Sequence, residues 1–228
     1  MKRTTTLGLA LIGVLFFTSC KREESINIDQ NRIYSNYDYT YDANANKSLM
    51  TATFRLDNSG GKKIQLSYPA RVDFEGEGLA WRQALGYYQL SNSNQTLSGS
   101  FNYHDLDDQT FSNSVSGLES IEIPFGITSI SQNGNFFLPW TGTEVRSGET
   151  VRVTIKGGEQ PSSKSWTITS AGSTHIILDE NRLRGLTPGT AQIFIEREVS
   201  KGLTHSNLSG GRITSKYLSR KININITD

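Results

Sequence analysis

Val151, Val153 and Ile155 alternate with Arg152 and Thr154, and the same two-residue period returns along most of this chain. Trp166 and Ile168 alternate with Ser165 and Thr167, and Ala191, Ile193 and Ile195 with Gln192, Phe194 and Glu196. Ile176 and Leu178 start another such run, and Leu218, Ile222, Ile224 and Ile226 fall on one face of a last one. Successive side chains of a strand point to opposite faces, so a two-residue period turns one face toward a core. Each run is short, is bounded by Gly, Pro, Asn or Ser, and recurs at roughly ten-residue spacing, the pattern of a β-sandwich. No long stretch carries a helical period.

The N-terminal half repeats the pattern less cleanly. Alternation begins near Ile33 and puts Tyr37, Tyr39 and Tyr41 on one face. A turn at 43–47 (ANANK) leads into Leu49 to Leu56, and a second turn at 58–62 (NSGGK) offers residues that tolerate positive φ. The runs Ile64 to Phe74, Leu85 to Leu90, Leu97 to Tyr103, Thr110 to Val115 and Ile121 to Ile123 follow. Pro69 inside the first of these marks an edge or a bulge. Ten Phe, nine Tyr and three Trp supply core mass, and 21 Gly supply turns. Gly126 to Gly134 lacks a pattern and reads as a linker. The expected organisation is two sandwiches, residues 32–128 and 129–228.

Met1 to Cys20, MKRTTTLGLALIGVLFFTSC, has a different character. Lys2 and Arg3 precede an apolar run, Leu7 to Phe17, too short to span a bilayer as a helix. Thr18 and Ser19 then lead to Cys20, the single cysteine of the sequence, so no disulfide forms within the chain. This order resembles a bacterial lipoprotein signal peptide ending in a lipobox, although Phe17 stands where leucine is usual. The resemblance implies a signal peptide over 1–19 and lipidation of Cys20. Residues 20–31 then form a lipidated flexible tether, and the lipid ties the chain to a membrane. The cluster Lys21, Arg22, Glu23, Glu24, Ser25 resembles the surface-export signal of Bacteroidetes-type lipoproteins. That likeness implies an outer-membrane protein displayed at the cell surface, with the periplasmic face as the rival location.

A second resemblance lies in Leu183 to Ile195, LRGLTPGTAQIFI. Its Leu-x-x-Leu, its Pro188-Gly189 corner and its alternating strand resemble the E–F region of bacterial immunoglobulin-like domains. The fold implied is all-β: two tandem immunoglobulin-like β-sandwiches after a lipoprotein signal peptide. Such folds host many functions, so architecture alone selects none.

The chemistry-bearing motifs of common enzymes are missing. There is no phosphate-binding loop, dinucleotide glycine fingerprint, HExxH or GxSxG. His104, His175 and His205 lie far apart in sequence without metal-ligand spacing. No catalytic residue and no cofactor is expected. Asp73, Glu75 and Glu77 alternate after Val72 and Phe74, and such carboxylates would serve glycoside hydrolysis if they flanked one bond. A solvated strand face explains them as well. Asp105, Asp107 and Asp108 offer oxygens for a calcium ion, against a hairpin loop whose carboxylates satisfy backbone donors. Tyr37, Tyr39 and Tyr41 are candidates for an aromatic platform that stacks on sugar faces, against burial in the core. Lys201, Arg212, Lys216, Arg220 and Lys221 fall in an acid-free stretch from Val199 to Thr227; such a run could attract anionic polysaccharide or lipid headgroups, but alternation with Leu218 and Ile222 reads as a solvated outer face.

Charge narrows the partners. The formal net charge is +1 and becomes −1 once Lys2 and Arg3 leave with the signal peptide. A near-neutral balance argues against nucleic acid, whose recognition rests on a basic field. The expected function is a binding or scaffolding module (accessory subunit, adhesin or glycan capture), with a glycan or an outer-membrane protein as partner. The alternative is a surface hydrolase acting on polysaccharide through a carboxylate site.

Overall fold

A computed structural model describes residues 22–96, 98–157 and 163–228. The signal peptide expected over 1–19, and Cys20, lie outside them. The chain is all-β: among the described residues twenty strands stand against a single α-helix, Glu180–Leu183. No described helix is long and apolar enough to cross a membrane.

Two hydrophobic cores divide the molecule. The first lies between two sheets. One face comes from strands Ile33–Asp42 and Lys47–Leu56, through Tyr37, Tyr39, Met50, Ala52 and Phe54. The other comes from the four-stranded sheet built on Arg71–Phe74, Ser98–His104 and Thr110–Ser116. Aromatic rings interlock across the gap. Tyr37 stacks on Phe101 with centroids 4.9 Å apart, and Phe54 tilts against Tyr103 at 4.6 Å. The second core gathers Val151, Val153, Ile155, Ile193 and Ile195 against Leu138, Ile176 and Leu178 of the antiparallel pair Phe136–Pro139 and His175–Leu178. Leu183 and Leu186, the Leu-x-x-Leu, are both buried in it.

The division falls earlier than residue 128. Ile121 and Ile123 are buried in the second core, and strand Ile121–Glu122 pairs with Thr141–Gly142. The stretch read as a linker holds strand Ser129–Ser131, which runs parallel to Asn225–Thr227. Nor are the described residues of the supposed tether loose. Glu23–Glu24 pairs in parallel with Ile64 and Gln65, and Ser25 and Gln30 are buried.

A continuous sheet joins the two halves. The 14-residue strand Gly189–Gly202 pairs with Glu149–Gly157 along one side. On the other side its first part pairs with Ile222–Thr227 and its last part with Gly211–Leu218. Gly211–Leu218 in turn runs parallel to Ile33–Asp42 over eight residue pairs, from Gly211 with Ser35 to Leu218 with Asp42. Alternation on this strand serves both cores: Ile213 enters the first and Tyr217 the second. Between them, Ser215 Oγ donates to the Ser116 carbonyl at 2.7 Å. Asn44 ties the seam further. Its side chain donates to the Ser219 carbonyl at 3.0 Å and accepts from the Lys221 amide at 2.7 Å.

Candidate functional site, a cleft at the seam of the two cores

A cleft of about 440 Å³ opens beside this seam. Its size is within the range of small-molecule sites. Three segments build it, residues 120–125, Thr141 and residues 217–222. Ile121–Glu122 and the following Ile123-Pro124-Phe125 form one wall, with Ile123 buried at its base. Phe125 sits at the tip of a turn closed by the Ile127 amide on the Pro124 carbonyl, and its side chain is 90% exposed. Tyr217, Arg220 and Ile222 form the opposite side.

The polar groups converge on Glu122. One carboxylate oxygen accepts from the Tyr217 hydroxyl at 2.8 Å, and the other from the Arg220 amide at 3.2 Å. Burial, and then the Glu122 carboxylate, push the Tyr217 phenol far above its usual range, so it remains a protonated donor. Tyr41 lies behind it with ring centroids 5.5 Å apart. The backbone here leaves no slack. Gly142, paired with Ile121, has φ of +116°, and a Cβ there would meet the Ser120 carbonyl oxygen at 2.3 Å. Each Glu122 oxygen keeps a lone pair for a further donor. A mostly apolar cleft with an aromatic wall, one carboxylate and one guanidinium suits a ring that carries hydroxyl groups.

The residues singled out by sequence fare differently. Tyr37, Tyr39 and Tyr41 do share one face, but it is the inner one: Tyr37 is 0% and Tyr39 1% exposed. They form no surface platform, because that face of the strand is covered by the second sheet. Tyr41 alone reaches the seam, packing partly against both cores. Asp105, Asp107 and Asp108 do not form a calcium site. Asp105 Oδ1 accepts the amides of Asp107 and Gln109 at 2.9 and 2.8 Å, closing the loop with local hydrogen bonds. Among the described residues no three His, Cys, Asp or Glu side chains come together in a way that holds a metal.

Asp73, Glu75 and Glu77 do not line one strand. Glu75 and Gly76 have φ of +53° and +83° and turn the chain into a hairpin that pairs Phe74 with Glu77. Glu77 therefore faces away from Asp73. Asp73 is occupied by Asn102 Nδ2 at 2.8 Å, the Gly76 amide at 3.0 Å and His104 Nε2 at 3.3 Å. Of the basic C-terminal residues, Lys216 is paired with Glu196 and Glu198 across the sheet. Cys20 lies outside the described residues. The cleft itself was missed because Glu122 and Phe125 sit where the first block was expected to end. The available signal was Phe125 between Pro124 and Gly126, an aromatic residue at a turn with nothing to pack on.

Fold and cleft together define an all-β, two-core module with a lateral cleft. No known protein family matches the sequence, and no curated relative matches it. Similar solved structures include the FN1–FN3 domains of chicken CNTN1, at 6% identity and a TM-score of 0.30 over 84% of this chain and 67% of that one. A tetra-tandem repeat in the extending region of a large adhesion protein aligns at 13% identity and TM-score 0.25, over 84% of this chain and 49% of that one. A structure of a 1.5-MDa bacterial ice-binding adhesin aligns at 9% identity and TM-score 0.24, over 87% of this chain and 66% of that one. The chain thus spans about half of the second structure and just under two thirds of the third. Alignments at this level assign neither ligand nor lineage.

Proposed function

We propose that this chain is a lipid-anchored outer-membrane protein, displayed at the cell surface, that captures glycan through the seam cleft. The observation that carries the binding reading is Phe125, almost fully exposed above the Glu122, Tyr217 and Arg220 polar cluster. Aromatic rings stack on the apolar faces of sugars, and Glu122 accepts from hydroxyl groups at the ring edge. A single stacked ring contributes on the order of 1 kcal/mol, so one site binds weakly. Many tethered copies on one surface would offset that through avidity. Catalysis is not part of the proposal: Glu122 is engaged by Tyr217 and Arg220, and Asp73, Glu75 and Glu77 are spread over a hairpin.

The test is a glycan array and a hydrolase panel run on the same protein, residues 20–228 with Cys20→Ser. Phe125→Ala and Glu122→Gln should each weaken glycan binding about fivefold or more, in line with loss of one stack or one charge-assisted hydrogen bond. Turnover that disappears in Asp73→Ala would overturn the binding reading. A silent array together with capture of a defined outer-membrane protein would replace the glycan with a protein partner.

The anchor is tested separately. In the full-length protein Cys20→Ser should release the chain from membranes, since a thioether-linked lipid needs the sulfur and no described helix offers another span. If the variant still sediments with membranes after a high-salt wash, lipidation at Cys20 is wrong.

A further inference from the structure

A second depression, of about 460 Å³, lies in the first half, where the described chain begins. Arg22, Arg55, Lys62 and Lys63 line it, together with Gly61 and Leu85. Three separate segments bring these cations together. Arg22 precedes the short strand Glu23–Glu24, whose parallel pairing with Ile64 and Gln65 fixes it beside Lys62 and Lys63. Its guanidinium lies 5.5 Å from the centre of the Trp81 ring. Arg55 comes from the neighbouring strand and donates to the Gly61 carbonyl at 2.9 Å. Gly61 cannot be replaced without moving this loop, because a Cβ would meet the Leu56 carbonyl oxygen at 1.8 Å.

Charge is unbalanced here. Glu23 meets Lys62 at 2.9 Å, but among the described residues no carboxylate lies within ion-pair distance of Arg22, Arg55 or Lys63. Lys63 donates to the Leu85 carbonyl at 2.6 Å. Partial burial, then Arg55 and Arg22, lower its pKa from the usual lysine value. Like charges are held close in a protein whose overall charge is near zero. An anion seated among them would relieve that repulsion. Leu85, 51% exposed, adds an apolar contact at the rim.

We infer that this basic depression docks the first half onto phosphate-bearing lipid headgroups of the membrane that carries the anchor. Position and charge select this occupant. Arg22 lies two residues after Cys20, so a lipid on Cys20 would hold the depression within reach of the headgroups, and cations near an anionic surface each strengthen binding. The inference builds on the proposed anchor, yet it is testable without it. Docking of this kind turns a tether into an oriented mount, with the seam cleft at a fixed height above the lipid.

The experiment uses residues 20–228 with Cys20→Ser, which keeps every described element and removes the lipid. Co-sedimentation is measured with phosphatidylcholine vesicles containing about 30% phosphatidylglycerol, and with pure phosphatidylcholine, at low and high salt. Binding should require phosphatidylglycerol and fall with salt. Arg22→Ala with Lys63→Ala should weaken it about 30-fold, from roughly fivefold per cation near the surface. Lys201→Ala with Arg212→Ala, which removes the same charge elsewhere, should leave it unchanged. If the first pair fails to fold, Lys62→Glu, on an exposed side chain, should lower binding as well. Equal losses in both double variants, or equal binding to the two vesicle types, would overturn the inference. Salt-sensitive vesicle binding with Cys20→Ser still on cell membranes after a high-salt wash would refute the anchor alone, and release without vesicle binding would refute the docking alone.

Discussion

Residues 129–228 expressed alone should fail to fold cooperatively, although they contain most of one core. The cut removes Ile121 and Ile123, both buried, and with them the partner of Thr141–Gly142. Losing a buried isoleucine costs roughly 2–5 kcal/mol even when the backbone stays in place, and total stability is only about 5–15 kcal/mol. The cut also strips Ile33–Asp42 from Gly211–Leu218, leaving eight residues of bare strand edge with Ile213 uncovered. Such an edge invites aggregation. Circular dichroism and amide exchange on the fragment decide the matter. A sharp urea transition with protected amides in Val151–Ile155 would show that the second half is autonomous. The complementary expectation is that the full chain unfolds in one step. Trp81 reports on the first half and Trp140 and Trp166 on the second, so coincident midpoints from single-tryptophan variants would establish it.

Arg197→Ala should be the most damaging single substitution in the second half. Among the described residues Arg197 is the largest fully buried side chain, at 0% exposure, and it projects inward from a strand between Val151 and Tyr217. Its guanidinium donates to the Thr143 hydroxyl and carbonyl and lies 3.7 Å from Glu149, which is itself buried. Burial lowers its pKa while Glu149 raises it. Removing the cation leaves the Glu149 carboxylate without its counter-charge and the Thr143 carbonyl without its donor. Breaking a buried pair from one side costs about 3–5 kcal/mol, which corresponds to about 10 °C in melting temperature for a chain of this size. Arg197→Met with Glu149→Gln keeps volume and removes both charges, so it should recover a large part of the loss. Urea melts of the two variants measure the difference. A loss under 1 kcal/mol for Arg197→Ala would mean that water reaches the site.

How far the sequence carried depended on the range of the interaction. Period-two alternation found the longer strands of both cores, because side-chain direction is a local property of the backbone. It also placed Tyr37, Tyr39 and Tyr41 on one face. Alternation is symmetric between inside and outside, however, and the covering sheet that buries Tyr37 and Tyr39 comes from residues 71–116. The Asp105 loop was readable as a turn from its own side chains, since an Asx carboxylate bonds backbone amides two to four residues on. Strands Ser129–Ser131 and Phe136–Pro139 were not legible, being too short to show a period. The parallel pairing of Ile33–Asp42 with Gly211–Leu218 left no local trace, and so the seam and its cleft, assembled from three distant segments, stayed hidden.

That pairing sets a clock. A ribosome delivers Ser35 long before its partner Gly211. Until then one edge of the first core is open, with its main-chain donors and acceptors unanswered. Closing such a distant contact is slow because the entropy of the intervening loop must be lost before any hydrogen bond forms. If the chain is exported as proposed, that open edge would persist while it is still being fed through a translocation pore. Gly211–Leu218 acts as the latch: its pairing with Ile33–Asp42 is the contact that closes the open edge of the first core and joins it to the second.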